Sequence, residues 1–207
     1  MEIVYDSPDH PPMHEIGKQT RIDDQASFTE LLSKLDEEGD HDPSFTINIP
    51  RHEMALYRSK GQWVLADNNV MITTEEKNEI WEYISSFFPS DDKSSICYGI
   101  KEISLDKDQD SRLASVAESY NIAMSENKEK KYRGEVPLYF AVANRDVIAI
   151  GQLIDVHVDV NLVSSDDVTP LHIACEKGDK DVVKMATEYA QLLSRAHRVL
   201  DGELYED

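Results

Sequence analysis

The sequence predicts an α+β fold, a small antiparallel sheet with helices followed by a short all-α repeat stack. Three observations predict it. Around residues 45–65 apolar side chains alternate with polar ones, the period of strands with one buried face. Flanking windows carry them at three- and four-residue spacing, the period of helices packed on one side. Finally, Thr169-Pro170-Leu171-His172-Ile173-Ala174-Cys175, with Gly178 and Val182-Val183 after it, has an echo 33 residues upstream. That echo is Val136-Pro137-Leu138-Tyr139-Phe140-Ala141-Val142, followed by Ala149-Ile150, Leu153-Ile154 and Asp159-Val160-Asn161. A fixed period marks units that bury their faces by stacking on neighbours.

Taken in order, residues 1–24 hold Pro8, Pro11 and Pro12 among scattered charges and read as an irregular lead-in. A helix is expected from about Ser27, with Phe28, Leu31, Leu32 and Leu35 on one face and Gly39 at its end. Phe45, Ile47 and Ile49, then residues 54–57, then residues 63–65 after the Ser59-Lys60-Gly61 turn read as three antiparallel strands. Thr74 begins a helix through Phe88 that buries Ile80, Trp81 and Ile84 and stops at Pro89. Residues 96–105 suit another strand and complete an α+β domain over 25–107. Over 108–133 the expectation is a capping helix, residues 108–127, with Leu113, Val116, Ala117, Tyr120 and Met124 on one face. The charge run Glu126-Asn127-Lys128-Glu129-Lys130-Lys131 then reads as a solvated linker. Residues 134–207 are left for two repeats and a C-terminal capping helix carrying Leu192, Leu193, Ala196, Val199 and Leu200.

The repeat residues make physical sense at their spacing. Thr169 can cap a helix whose first position is Pro170, where the missing N–H removes only a donor that would be unpaired anyway. Ala141 and Ala174 are small, as closely packed helices require, and Gly178 takes left-handed geometry without steric penalty. In the first unit Val136 stands for the threonine, Tyr139 for the histidine, and Arg145 and His157 for glycines, each at a cost of about a kcal/mol or less. On these residues, about 134–200 resemble the ankyrin-repeat family. The resemblance implies helix pairs whose hairpin loops and concave helix face bind a partner protein, and it gives His172 a structural role. Two units are fewer than an isolated stack needs, so the flanking helices are expected to cap them.

A second pattern is His52-Glu53-Met54-Ala55-Leu56-Tyr57, a polar turn, Gln62-Trp63-Val64-Leu65-Ala66 and Asp67-Asn68-Asn69. A histidine that starts one strand and an acid that ends the next can meet at one sheet edge, as a base and its orienter do. The segment resembles the histidine and aspartate half of papain-like cysteine proteases of the bacterial effector type, which implies His52 as base and Asp67 as orienter. Ala66 and Asn68 depart from that family's aromatic and proline flanks. No cysteine precedes His52, where the family's nucleophile lies, so residues 25–107 read as a degenerate, non-catalytic half. The alternative is a thiol hydrolase, a cysteine protease or deubiquitinase-like enzyme using His52, Asp67 and Cys97. The plainest alternative for His52 is a strand histidine with no chemistry.

Composition narrows the partners. Lys and Arg number 21 against 41 Asp and Glu, a net charge of -20, which repels phosphate backbones and anionic headgroups, so nucleic acid is not expected. No apolar run approaches roughly 18 residues, so membrane insertion is not expected either. The two cysteines, Cys97 and Cys175, make no disulfide framework and suit a reducing compartment. The N-terminus lacks a signal-peptide pattern, which suggests a cytoplasmic-type soluble protein or export by a signal-peptide-independent route. His10 and His14 lie in a proline-broken segment without a third ligand, and there is no glycine-rich phosphate loop, so neither metal nor cofactor is expected. The leading function is a protein–protein interaction module without enzymatic activity, favouring a basic partner face by electrostatic steering. Candidate partner contacts are Asn144, Arg145, Ser164, Ser165, Asp166, Asp167, Glu176 and Lys177. The joined protease-like and ankyrin segments, with the glutamate-bearing tail, resemble effectors of intracellular bacterial pathogens, which implies a host protein as partner in the host cytosol.

Overall fold

A computed structural model describes residues 12–37, 42–68, 70–88, 94–116, 126–178, 180–184 and 187. The elements run β1 (His14–Asp23), α1 (Gln25–Glu37), β2 (Ser44–Ile49), β3 (His52–Ser59), β4 (Gln62–Asp67), β5 (Val70–Thr74), α2 (Lys77–Ser85) and β6 (Ile96–Ser104). Then come α3 (Arg112–Ser115), α4 (Pro137–Ala143), α5 (Val147–Asp155) and α6 (Pro170–Lys177), and residues 180–184 are helical as well. The six strands form one antiparallel sheet in the order β1-β6-β2-β3-β4-β5.

One face of this sheet is covered by α1 and α2. Phe45, Ile47, Met54, Leu56, Trp63 and Leu65 point to it and are almost fully buried. Phe28 of α1 lies 5.7 Å from Trp81 of α2 and 5.9 Å from Tyr98 of β6, ring centre to ring centre. Phe28, Leu31, Leu32 and Leu35 are buried as the periodicity predicts, and Asp24 and Ser27 bond reciprocally at the helix start. Lys60 (φ 52°) and Gly61 (φ 82°) turn β3 into β4, the left-handed pair that matches the twist of a two-residue hairpin.

The lead-in expectation is corrected for residues 14–23, which form β1 and pair with β6 from His14↔Ser104 to Asp23↔Ile96. Its core-facing residues Gln19, Arg21 and Asp23 are polar, so no apolar alternation announced it. They satisfy one another: Arg21 Nε donates to Asp23 (2.7 Å), Arg21 Nη1 to Gln19 (3.0 Å), and the Tyr98 hydroxyl to Asp23 (2.6 Å). Thr74 does not begin a helix either. It ends β5, its hydroxyl accepts the Glu76 N–H (2.9 Å), and α2 starts at Lys77. The expected helix over 108–127 is helical at Arg112–Ser115, with Leu113 and Val116 buried, and its residues 117–125 lie outside the described residues. In its charged successor Glu126, Glu129 and Lys131 are exposed as expected, while two lysines are bound at their tips: Lys128 Nζ donates to the Val156 carbonyl (2.6 Å) and Lys130 Nζ to Ser95 (3.1 Å). Gly39, Pro89 and the helix expected around residues 192–200 lie outside the described residues.

In the repeats, Thr169 and His172 form a reciprocal cap at the start of α6, and Gly178 takes φ 65°. Arg145 and His157, which stand for glycines, hold the same left-handed geometry at φ 55° and 58°. Ala141 and Ala174 are buried, whereas Leu171 and Cys175 are exposed. The first unit packs α4 against β1 and β6, on the sheet face opposite α1 and α2. Its Asp146 accepts the Thr20 N–H (2.6 Å), and its Asn144 Nδ2 donates to the Gln19 carbonyl (3.0 Å). The backbone of edge strand β1 is thereby paired from the repeat side.

Candidate partner-binding cleft

Between the β2–β3 end of the sheet and the inner repeat helices α4 and α6 lies a cleft of about 450 Å³. Asn48, Glu53 and Gly99 supply the sheet wall. They share one face because Asn48 sits directly opposite Glu53 in one ladder and Gly99 in the next. Tyr139, Ala143 and Ile173 line the other side, with Glu176 and Lys177 at its rim. A Cβ at residue 99 would come within 2.9 Å of Asn144 Oδ1, so only glycine allows this close approach of helix to sheet. The Tyr139 hydroxyl is raised above its ordinary range by burial, with the charges of Glu135 and Glu176 adding and Arg51 opposing.

The candidate partner contacts divide. Glu176 and Lys177 border the cleft and are exposed, and Ser165, Asp166 and Asp167 are exposed on the repeat loop. Asp166 forms an ion pair with Arg51, which sits at the Pro50-Arg51 turn with φ 63°. Arg145 is half-buried and donates to the Lys177 carbonyl (2.9 Å), joining the two units. For Asn144 and Ser164 the expectation of an exposed contact is corrected. Asn144 is 3% exposed and holds the β1 edge, and Ser164 is 4% exposed with its hydroxyl accepting the Asp166 and Val168 N–H groups.

His52 and Asp67 do meet, Nε2 to Oδ2 at 2.8 Å, as diagonal neighbours on the face covered by α2. Asp67 also accepts the Tyr83 hydroxyl (2.7 Å) and the Asn68 N–H (2.7 Å), and the His52 ring stacks on Phe87 at 4.6 Å. Burial works to raise the Asp67 carboxyl, but the bonds from Tyr83 and His52 hold it below its ordinary range. Burial and the Asp67 charge in turn push Tyr83 up to about 12. Cys97 does not join them. Ile49 is paired with His52 and Ile47 with Ile100, so odd-numbered Cys97 points to the other face, where it is fully buried. Burial, with the Asp23 charge, pushes its thiol well above the ordinary range. The catalytic alternative of His52, Asp67 and Cys97 is therefore not assembled. Sequence reasoning passed over Arg51, Gly99, Tyr83 and Phe87. Of the cleft residues, Tyr139 carried a signal as an aromatic at the repeat's histidine position, and Glu176 and Lys177 were expected there as exposed repeat positions.

Among the described residues no helix is long and apolar enough to cross a membrane, and no group of three or more His, Cys, Asp and Glu could hold a metal ion. Residues 112–195 match the family model for ankyrin repeats (3 copies), so the match takes in α3 as well as the two units read from the sequence. A 69-residue stretch is 32% identical to a putative ankyrin repeat protein of Acanthamoeba polyphaga mimivirus, covering 33% of this chain and 9% of that protein. No solved structure matches the chain.

Proposed function

We propose that this chain is a protein-interaction module and that its ankyrin repeats bind a segment of a partner protein in the cleft against the sheet. The observation that carries this reading is the cleft itself, about 450 Å³, walled by the inner helices α4 and α6 on one side and by Asn48, Glu53 and Gly99 on the other. Repeat stacks recognise partners through exposed positions of such concave faces, since their buried positions serve stacking. The placement of Cys97 on the opposite sheet face from His52 favours binding over thiol hydrolysis. Nothing in this reading depends on the bacterial-effector resemblance.

Selection of a displayed random-peptide library on the full chain tests it. Peptides are expected to enrich whose affinity falls at least tenfold when Ala143→Trp fills the cleft, in a variant whose melting shows that it is folded. Enriched peptides that bind Ala143→Trp as tightly as the parent would overturn the cleft as the binding site.

A further inference from the structure

We propose that β5, an edge of the sheet distinct from the cleft, is a second binding surface that takes on an extended, lysine- or arginine-bearing segment of a partner protein as an added strand. The two edges of the sheet, β1 and β5, are built differently. β1 carries a bulge between Glu15 and Gly17, a charged Lys18, and a Thr20 N–H already bonded to Asp146. Bulges, lysines and cover are the usual devices that keep an edge from pairing further. β5 has none of them. Val70-Met71-Ile72-Thr73-Thr74 contains no charge, proline or glycine, and its ladder to β4 runs from Asp67↔Val70 to Trp63↔Thr74 without a bulge. Among the described residues no strand lies beyond it.

The register fixes what this edge offers. Asp67 and Val70 are the closing pair of the β4–β5 hairpin, and a closing pair with two residues between its members exchanges both hydrogen bonds. Val70, Ile72 and Thr74 therefore bond to β4, while Met71 and Thr73 direct their N–H and C=O groups outward. Strand addition draws its affinity from such main-chain groups. Met71 is 69% exposed and Val70 40%, on opposite faces of the strand, so an added strand covers apolar surface on both sides. Charge selects the occupant. Glu75, Glu76 and Glu79 stand exposed just past the end of β5, and none has an ion pair among the described residues. Lys77 is held by Asp36 (3.0 Å) and Ser33 (3.0 Å), which leaves exposed Lys60 of the β3–β4 turn against three carboxylates. A second copy would bring the same acids and its own net charge of -20. The complement is a foreign segment whose basic end meets Glu75 and Glu76.

NMR titration of the full chain with the end-capped peptide Lys-Lys-Val-Thr-Val-Thr-Val tests this. Added antiparallel to β5, it sets its lysines beside Glu75 and Glu76. The amide signals of residues 70–74 are expected to shift most, and Ala143→Trp, which fills the cleft, should leave the Kd within twofold. Thr73→Pro removes an outward N–H without touching the ladder to β4 and should raise the Kd at least tenfold. A peptide methylated on the backbone nitrogen of each Val and Thr keeps side chains and charge, and it should also bind at least tenfold more weakly to the parent, whether or not Thr73→Pro folds. A Glu-Glu-Val-Thr-Val-Thr-Val peptide should bind at least fivefold more weakly than the lysine peptide. No shifts at residues 70–74, or equal binding of the methylated peptide, overturns strand addition. Equal binding of the glutamate peptide overturns the basic partner. A dimer of the parent in sedimentation that Thr73→Pro dissolves gives the edge to a second copy and overturns the proposal as well. The peptide selection on Ala143→Trp stands apart from all of these.

Discussion

Asp67 takes two donors on one oxygen, the His52 ring and the Tyr83 hydroxyl, and so joins the β3–β4 hairpin to α2. The pair makes stability depend on pH at both ends. Tyr83 is raised from 10.0 to about 12, so its contribution is complete below pH 10 and is lost as pH climbs from 10 to 12. Asp67 is lowered from 3.8, so its contribution is present above that value and is lost as pH falls through the folded pKa. Tyr83→Phe should lower stability at pH 8 by about 1.5–3 kcal/mol, the range for a hydrogen bond to a charged group. It should also lose less than the parent between pH 8 and 11, although buried Tyr98 keeps part of the alkaline dependence. Urea midpoints at the two pH values decide it; equal alkaline losses would show that Tyr83 is not the titrating group. The His52–Asp67 meeting was legible in the sequence because a tight hairpin brings its strand ends together. The Tyr83 bond was not, since it depends on how α2 crosses the sheet.

Among elements, the contact of β1 with the first repeat rests on Asp146. One of its oxygens caps α5 by accepting the Ala149 N–H (3.0 Å), and the other accepts the Thr20 N–H of the sheet edge (2.6 Å). Asp146→Ala removes both and leaves buried donors unmet, at an expected cost of about 2–4 kcal/mol, combining a lost cap with an unsatisfied buried group. Asp146→Asn retains one acceptor and should cost less than half as much. Urea unfolding of the two variants checks the ordering; an alanine variant within 0.5 kcal/mol of the parent, roughly the scatter of surface substitutions, would remove Asp146 from this role. This joint also explains a miss in the sequence reading. A strand whose inward residues are Gln19, Arg21 and Asp23 has no apolar period, and its partners Tyr98, Asn144 and Asp146 come from distant parts of the chain. α1, by contrast, declares itself through Phe28, Leu31, Leu32 and Leu35, all within its own stretch of chain.

Across the whole molecule, the sheet and the repeats share one core. A single continuous apolar cluster runs from Ile22 and Phe28 through Tyr98 and Ile100 to Leu138, Ile150, Ala174 and Val182. The stack's first unit is therefore covered by a sheet face, where the sequence suggested the helix before it: α3 packs on the other face, with Arg112 bonded to the Leu35 carbonyl of α1 and Leu113 to Gln19 and Glu102. A short stack that borrows a neighbour's surface shares its cooperativity. The intact chain is expected to unfold in one transition by circular dichroism. Fragments 1–107 and 108–207 should each melt at a lower temperature, because each exposes the face that the other covers. Two separate transitions in the intact chain, each at its fragment's own temperature, would show that the two parts are independent.

The sequence by itself determined the repeat units, with Thr169, Pro170 and Gly178 at their required positions, and the apolar faces of the central strands and of α1. These depend on local geometry: caps, turn residues and a period of two or 3.6 that any short stretch carries within itself. Tertiary structure alone decided which face of the sheet each residue serves, and hence that Cys97 lies apart from His52 while Glu53 and Gly99 look toward Tyr139. Side-chain direction alternates along a strand, so it becomes meaningful only once the register with its neighbours is set, and register is a property of pairs distant in the chain.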